Sequence, residues 1–89
     1  MVTREVRVLN RAGLHTRPAA MIVRVASKFD AEFFIEKDGY QINGKSIIGV
    51  MTLAAEQGAA LQLTFEGTDE EAAAEAMVGL FDEGFGEAR

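Results

Sequence analysis

Cysteine and tryptophan are absent, histidine and proline occur once each, and no apolar run is long enough to span a bilayer. Without cysteine there can be no disulfide, no thiolate nucleophile and no cysteine-based zinc site. A single histidine leaves too few ligands for a metal cage, so neither a metal nor a cofactor is expected. The opening residues, MVTREVRVL, carry Arg4, Glu5 and Arg7 where a secretory signal needs its apolar stretch. A cytoplasmic protein without membrane insertion is therefore expected. The net charge of −5 and the lack of tryptophan disfavour a general nucleic-acid binder.

What remains suits a folded chain. The 89 residues are 48% hydrophobic and 26% charged, enough apolar surface to offset chain entropy and consistent with a single domain over residues 1–89. Charge is uneven: residues 1–28 are net +5, residues 29–65 net −3 and residues 66–89 net −7. Such asymmetry steers an acidic partner toward the first part of the chain.

Periodicity supplies the elements. Residues 2–9 read as a strand with Val6 and Val8 on one face and Glu5 and Arg7 on the other. NRAG at 10–13 has turn chemistry. From Thr16 to Lys28 the spacing is helical, with Ala19, Ile22, Val23 and Ala26 as the core stripe. Residues 32–37 and 40–43 form two strands joined at Asp38-Gly39, a type I′ hairpin signal. Ser46 caps a short helix over 47–53, residues 60–66 alternate as a strand, and Thr68 with Glu71 reads as a capping box for a last helix ending at Gly84. This order predicts an α+β fold, one sheet with its helices on a single face and the other face wet.

Few residues can do chemistry. GKS at 44–46 resembles the end of a phosphate-binding loop but lacks the first glycine at the required spacing. His15 is more informative. It follows Gly13 and precedes a helix whose first turn contains Pro18, so free backbone N–H groups and the helix dipole face the space beside the imidazole. Arg17 adds a planar cationic fork suited to phosphate. These positive surroundings disfavour the imidazolium, so a neutral, nucleophilic ring is expected. A lone histidine in an arbitrary loop is more often a bystander; the neighbouring glycine, arginine and proline argue otherwise. Ser46 is either a simple cap or a cap whose phosphorylation would be favoured at a helix start beside Lys45. Met21, Ile47, Ile48 and Met51 are either core or an exposed docking surface rimmed by Arg17, Arg24 and Lys45.

GLHTRPA at 13–19 and GKSIIGVMTL at 44–53, at this separation and in this element order, resemble the HPr family of bacterial histidine-containing phosphocarriers. The resemblance covers the whole chain through EGFGE at 83–87. It implies an open-faced β-sandwich: a four-stranded antiparallel sheet with two long helices and one short helix on one side. It implies that His15 accepts phosphate on Nδ1 from phosphorylated Enzyme I and passes it to IIA components of sugar permeases. Arg17 and the helix start at Thr16 would hold the phosphoryl group. Ser46 would be the target of an HPr kinase/phosphorylase, and a transcriptional regulator would be a further partner. The family's interface positions fall on Thr16, Ala20, Met21, Arg24, Ile47, Ile48 and Met51. A monomer is the simplest state for a relay that exposes one face. Ala12, at an often polar position, and the large Phe34 on the sheet's outer face depart from the family pattern. A regulatory carrier of a nitrogen- or carbon-control branch is the alternative with unchanged His15 chemistry. An effector module acting through phosphorylated Ser46, or a ligand-binding domain without covalent chemistry, would be of a different class.

Overall fold

The computed structural model describes all residues, 1–89. Strand β1 (Val2–Arg7) leads through the loop at 8–15 to helix α1 (Thr16–Ala26). Strands β2 (Glu32–Lys37) and β3 (Tyr40–Asn43) form a hairpin, followed by α2 (Ile47–Thr52), β4 (Ala60–Glu66) and α3 (Glu70–Asp82), and a 3₁₀ turn closes the chain at Gly84–Gly86. The sheet is antiparallel throughout, in the order β1-β4-β2-β3. This is the open-faced α+β architecture that the alternation of strands and amphipathic helices predicts.

Period-two patterning decides which face is buried. Val2, Val6, Phe33, Ile35, Ile42, Leu61, Leu63 and Phe65 point into the core against the helices. On the other face Glu5, Gln62, Glu36 and Gln41 lie in one cross-strand row, which leaves that side to water. Phe34 is half-buried on this outer face, beside Thr64 and Asn43 in register. Phe33 and Phe65 are direct cross-strand partners whose rings stack at 4.7 Å, a contact of about 1 kcal/mol beyond simple burial. Asp38 and Gly39 both have positive φ, 51° and 83°, as the type I′ turn requires.

Helix α2 stops at Thr52 with Leu53 as its C-cap, one residue short of the expected 47–53, and three further features differ from the sequence expectation. Strand β1 ends at Arg7, because Val8 leaves the strand pairing: its N–H donates to Ala59 O and its carbonyl accepts from Gly58 N. Helix α1 ends at Ala26, where Lys28 and Phe29 N–H donate to carbonyls three residues back and tighten the chain into a turn. Thr68 and Glu71 make no capping box. Asp69 is the residue before α3, and its carboxylate turns away to accept from the Asp30 and Ala31 amides, both at 2.8 Å. Those two bonds, the Asp30 contact foremost, hold the Asp69 carboxyl below its ordinary range. The reciprocal capping contact falls to Glu70, which accepts from Gly67 N at 3.0 Å.

Candidate functional site

His15 occupies the N-cap position of α1 with extended backbone (φ −81°, ψ −166°), and its carbonyl accepts from Ala19 N at 3.0 Å. Its side chain does not cap the helix. The Thr16 and Arg17 amides begin the helix and have no carbonyl four residues back within it, while Pro18 has no N–H at all. Pro18 is buried, so the first turn is anchored while His15, Thr16 and Arg17 remain exposed. The preceding loop is shaped by Gly13, with φ +75°. Its N–H donates to Asn10 O, and Leu14 N donates to Ala55 O at 2.9 Å, which ties the loop to the segment before β4.

The structure adds a group that the sequence reading missed. Both oxygens of Glu87 lie 3.0 Å from His15 Nε2. Arg17 Nη1 donates to Glu87 Oε2 and to the Phe85 carbonyl, each at 2.9 Å. Asn10 Nδ2 donates to Glu87 Oε1 at 3.0 Å and to Gly13 O at 2.8 Å. The carboxylate therefore collects three side-chain partners. The His15 contact, followed by Arg17 and Asn10, holds its carboxyl below the ordinary glutamate value of 4.5. The ring is thus not in the uniformly positive setting expected from the helix start and Arg17 alone. An anion stands on its Nε2 side, and the positive field from the helix start adjoins the same residue.

The tail that carries Glu87 is fixed. Phe85 is buried despite φ +57° and meets the Phe81 ring edge-to-face at 4.9 Å. Burying a phenyl group stabilises by roughly 2–3 kcal/mol, more than the ~1 kcal/mol that the left-handed backbone costs. Arg11 N–H donates to Ala88 O at 2.7 Å, and Arg89 Nη2 donates to Asp82 O at 2.7 Å. Asn10 is wholly buried, and its Oδ1 has no partner. Rotating the amide would aim that oxygen at two other oxygens, so the donor pair fixes its orientation. In the sequence Glu87 stands out only as the end of EGFGE, within the acidic last third of the chain. Asn10 was visible only as a turn residue.

Ser46 is the N-cap of α2, and its Oγ accepts from Gly49 N at 3.0 Å. Ser46 is exposed. Lys45 beside it donates from Nζ to the Phe29 carbonyl at 2.8 Å. Of the apolar residues expected at a partner surface, Ile48 is 74% exposed, Met51 43% and Ile47 38%, whereas Met21 and Ala20 are half-buried. Arg24 is exposed in the last turn of α1. Helices α1 and α2 pack together, so these residues come from adjoining helices.

The fold is an open-faced sheet topped by helices, with one accessible imidazole at a helix start. Comparison with known proteins identifies the class. The family described as PTS HPr component phosphorylation site matches residues 2–83, and the chain belongs to this HPr phosphocarrier family. It is 52% identical to the phosphocarrier protein HPr of Treponema pallidum over 98% of this chain and 99% of that protein. It is 45% identical to the HPr-like protein Crh of Halalkalibacterium halodurans, over 92% of this chain and 98% of that protein. The crystal structure of HPr-C-His from Thermoanaerobacter tengcongensis superposes with a TM-score of 0.96 at 44% identity, covering both chains completely. The general role is that of a phosphocarrier rather than a catalytic enzyme.

Proposed function

We propose that His15 is the carrier residue: it accepts a phosphoryl group on Nδ1 from phosphorylated Enzyme I and passes it to IIA components of sugar permeases. The observation that carries this reading is the asymmetry of the ring. Nε2 is engaged by Glu87, whereas Nδ1 makes no hydrogen bond within the chain. In transfer the Nδ1 lone pair forms the N–P bond as the donor's P–N bond breaks, and that electron pair returns to the donor nitrogen. The phosphoryl oxygens then meet the free amides of Thr16 and Arg17. Arg17 has Nε and Nη2 without partners in the chain, so its guanidinium can face phosphate while Nη1 stays anchored to Phe85.

Thr16, Ala20, Met21, Arg24, Ile47, Ile48 and Met51 form the docking surface for both partners in this reading. The exposure of Ile48 and Met51 supports it. Ser46 is its regulatory position, modified by an HPr kinase/phosphorylase. A phosphate there would place charge at the edge of the apolar surface, weaken Enzyme I docking and provide a face for a transcriptional regulator. The protein works as a cytoplasmic monomer, one domain spanning residues 1–89. A regulatory carrier for a nitrogen- or carbon-control branch is the second reading, favoured by the likeness to an HPr-like protein. The IIA protein that accepts phosphate separates the two.

The test is incubation of wild type and His15→Ala with phosphoenolpyruvate and Enzyme I. An acid-labile phosphate confined to the wild type is expected. No label with a competent Enzyme I, or equal label on His15→Ala, would overturn the assignment.

A further inference from the structure

We infer that Glu87, seated by the buried Asn10 amide, is a positioning residue for phosphoryl transfer: its carboxylate keeps the proton on His15 Nε2 through the whole cycle. The inference rests on the proposed phosphorylation of His15 and adds a role for two residues outside the sequence motif.

The geometry requires a proton between His15 and Glu87. Both oxygens of an ionised carboxylate stand 3.0 Å from Nε2, and a carboxylate can only accept. Nε2 must therefore donate, and in the neutral ring the lone pair is left on Nδ1. Glu87 cannot easily change its aim, because Oε1 is held by Asn10 and Oε2 by Arg17. Asn10 in turn is fully buried and braced on Gly13 O, in the loop that delivers His15. One amide thus links the position of the carboxylate to the position of the imidazole.

The consequence for the chemistry is electronic. When Nδ1 bonds phosphorus, the ring becomes cationic and keeps its Nε2 proton, and the adjacent carboxylate stabilises that cation. On donation the P–Nδ1 bond breaks, the electron pair returns to Nδ1, and a neutral imidazole leaves. Were the proton lost from Nε2, the leaving group would be an imidazolate, a much poorer one. No proton has to enter or leave the ring at either step. The charged groups facing this unit are Glu87 from the tail and Arg17 from α1; Asn10 is neutral.

Two measurements on the wild type, Glu87→Gln and Glu87→Ala test this. Glu87 lies outside the helices and strands and is not one of the core residues, so both variants should fold. In the first, ring ¹⁵N spectra of the unphosphorylated proteins at a pH where the ring is neutral should show only the Nε2–H tautomer in the wild type. Glu87→Ala should show a mixture. This arm needs no phosphorylation, so it stands even if His15 is never labelled. A tautomer mixture in the wild type, or an identical spectrum in Glu87→Ala, would overturn the contact. In the second, ³¹P shifts of the phosphorylated proteins are followed against pH. The midpoint for losing the ring proton should fall by roughly one pH unit in Glu87→Gln, with transfer to an acceptor slowing severalfold above that midpoint. A midpoint and transfer rate unchanged in a fully labelled Glu87→Gln would refute the role while leaving His15 as carrier.

Discussion

Substituting Gly13 by alanine should destabilise the protein far more than the same change at Gly39, although both glycines have positive φ. Gly39 (φ +83°) has nothing within 4 Å of where a Cβ would lie, so Gly39→Ala meets only left-handed strain. At Gly13 (φ +75°) the added Cβ would sit 2.6 Å from Ala55 O and 3.2 Å from Glu56 Cα. Both are backbone atoms, and Ala55 O is also the acceptor of Leu14 N–H, so relief of the clash strains that tie. The strain common to both sites is about 1 kcal/mol after allowing for the reduced freedom of the unfolded chain, and the overlap at Gly13 adds roughly 1–3 kcal/mol. At about 6 °C per kcal/mol for a domain of this size, Tm should fall by ~6 °C in Gly39→Ala and ~12–24 °C in Gly13→Ala. Thermal unfolding followed by circular dichroism reads both. Because Gly13 O also receives Asn10 Nδ2, phosphoryl acceptance by Gly13→Ala should slow even well below its Tm. Equal Tm losses in the two variants would refute the packing argument for the loop that carries His15.

Arg17→Ala should slow phosphoryl transfer by about 10- to 100-fold, since one charged donor to the phosphoryl oxygens is removed. Its Tm should fall by only a few degrees, because the bonds Arg17 makes to Phe85 O and Glu87 come from a largely solvent-screened side chain; single-turnover labelling alongside a melt checks both. Phe85→Ala removes the buried anchor of the tail and should lower stability by about 3 kcal/mol in urea unfolding, with the contacts of Glu87 loosened as well. Acid should weaken the fold through Asp69, Glu70 and Glu87, whose carboxyls all lie below their ordinary values in the folded state. Their contribution is fully present above the ordinary values of 3.8 and 4.5 and is lost as pH falls through the lowered ones. Urea midpoints should therefore be flat in these groups from pH 7 to 5 and fall below about pH 4. A fall already complete at pH 5 would contradict those assignments.

How far the sequence could be read depended on how local the signal was. Strands β2 and β4 matched their expected bounds, because period-two alternation in EFFIEK and ALQLTFE is carried by the residues themselves. The turn at Asp38-Gly39 and the stop at Gly84 were legible for the same reason, since each needs a backbone conformation that glycine supplies. The capping at α3 was misassigned because two non-local amides, from Asp30 and Ala31, compete for the Asp69 carboxylate. His15 and Arg17 could be singled out from the helix-start chemistry around them. Glu87 could not, because its meaning depends on a contact 72 positions away along the chain. Phe85 and Asn10 place that carboxylate, and neither residue carries a local signal of doing so.

The central claim is that Nδ1 of His15 takes the phosphoryl group because Nε2 is already engaged by a carboxylate. The most direct measurement is the ³¹P–¹⁵N coupling in ring-labelled protein phosphorylated by Enzyme I and phosphoenolpyruvate. The account predicts phosphorus bonded to Nδ1 alone, with Nε2 still carrying its proton. Phosphorus on Nε2, or a phosphate found on any residue other than His15, would contradict it.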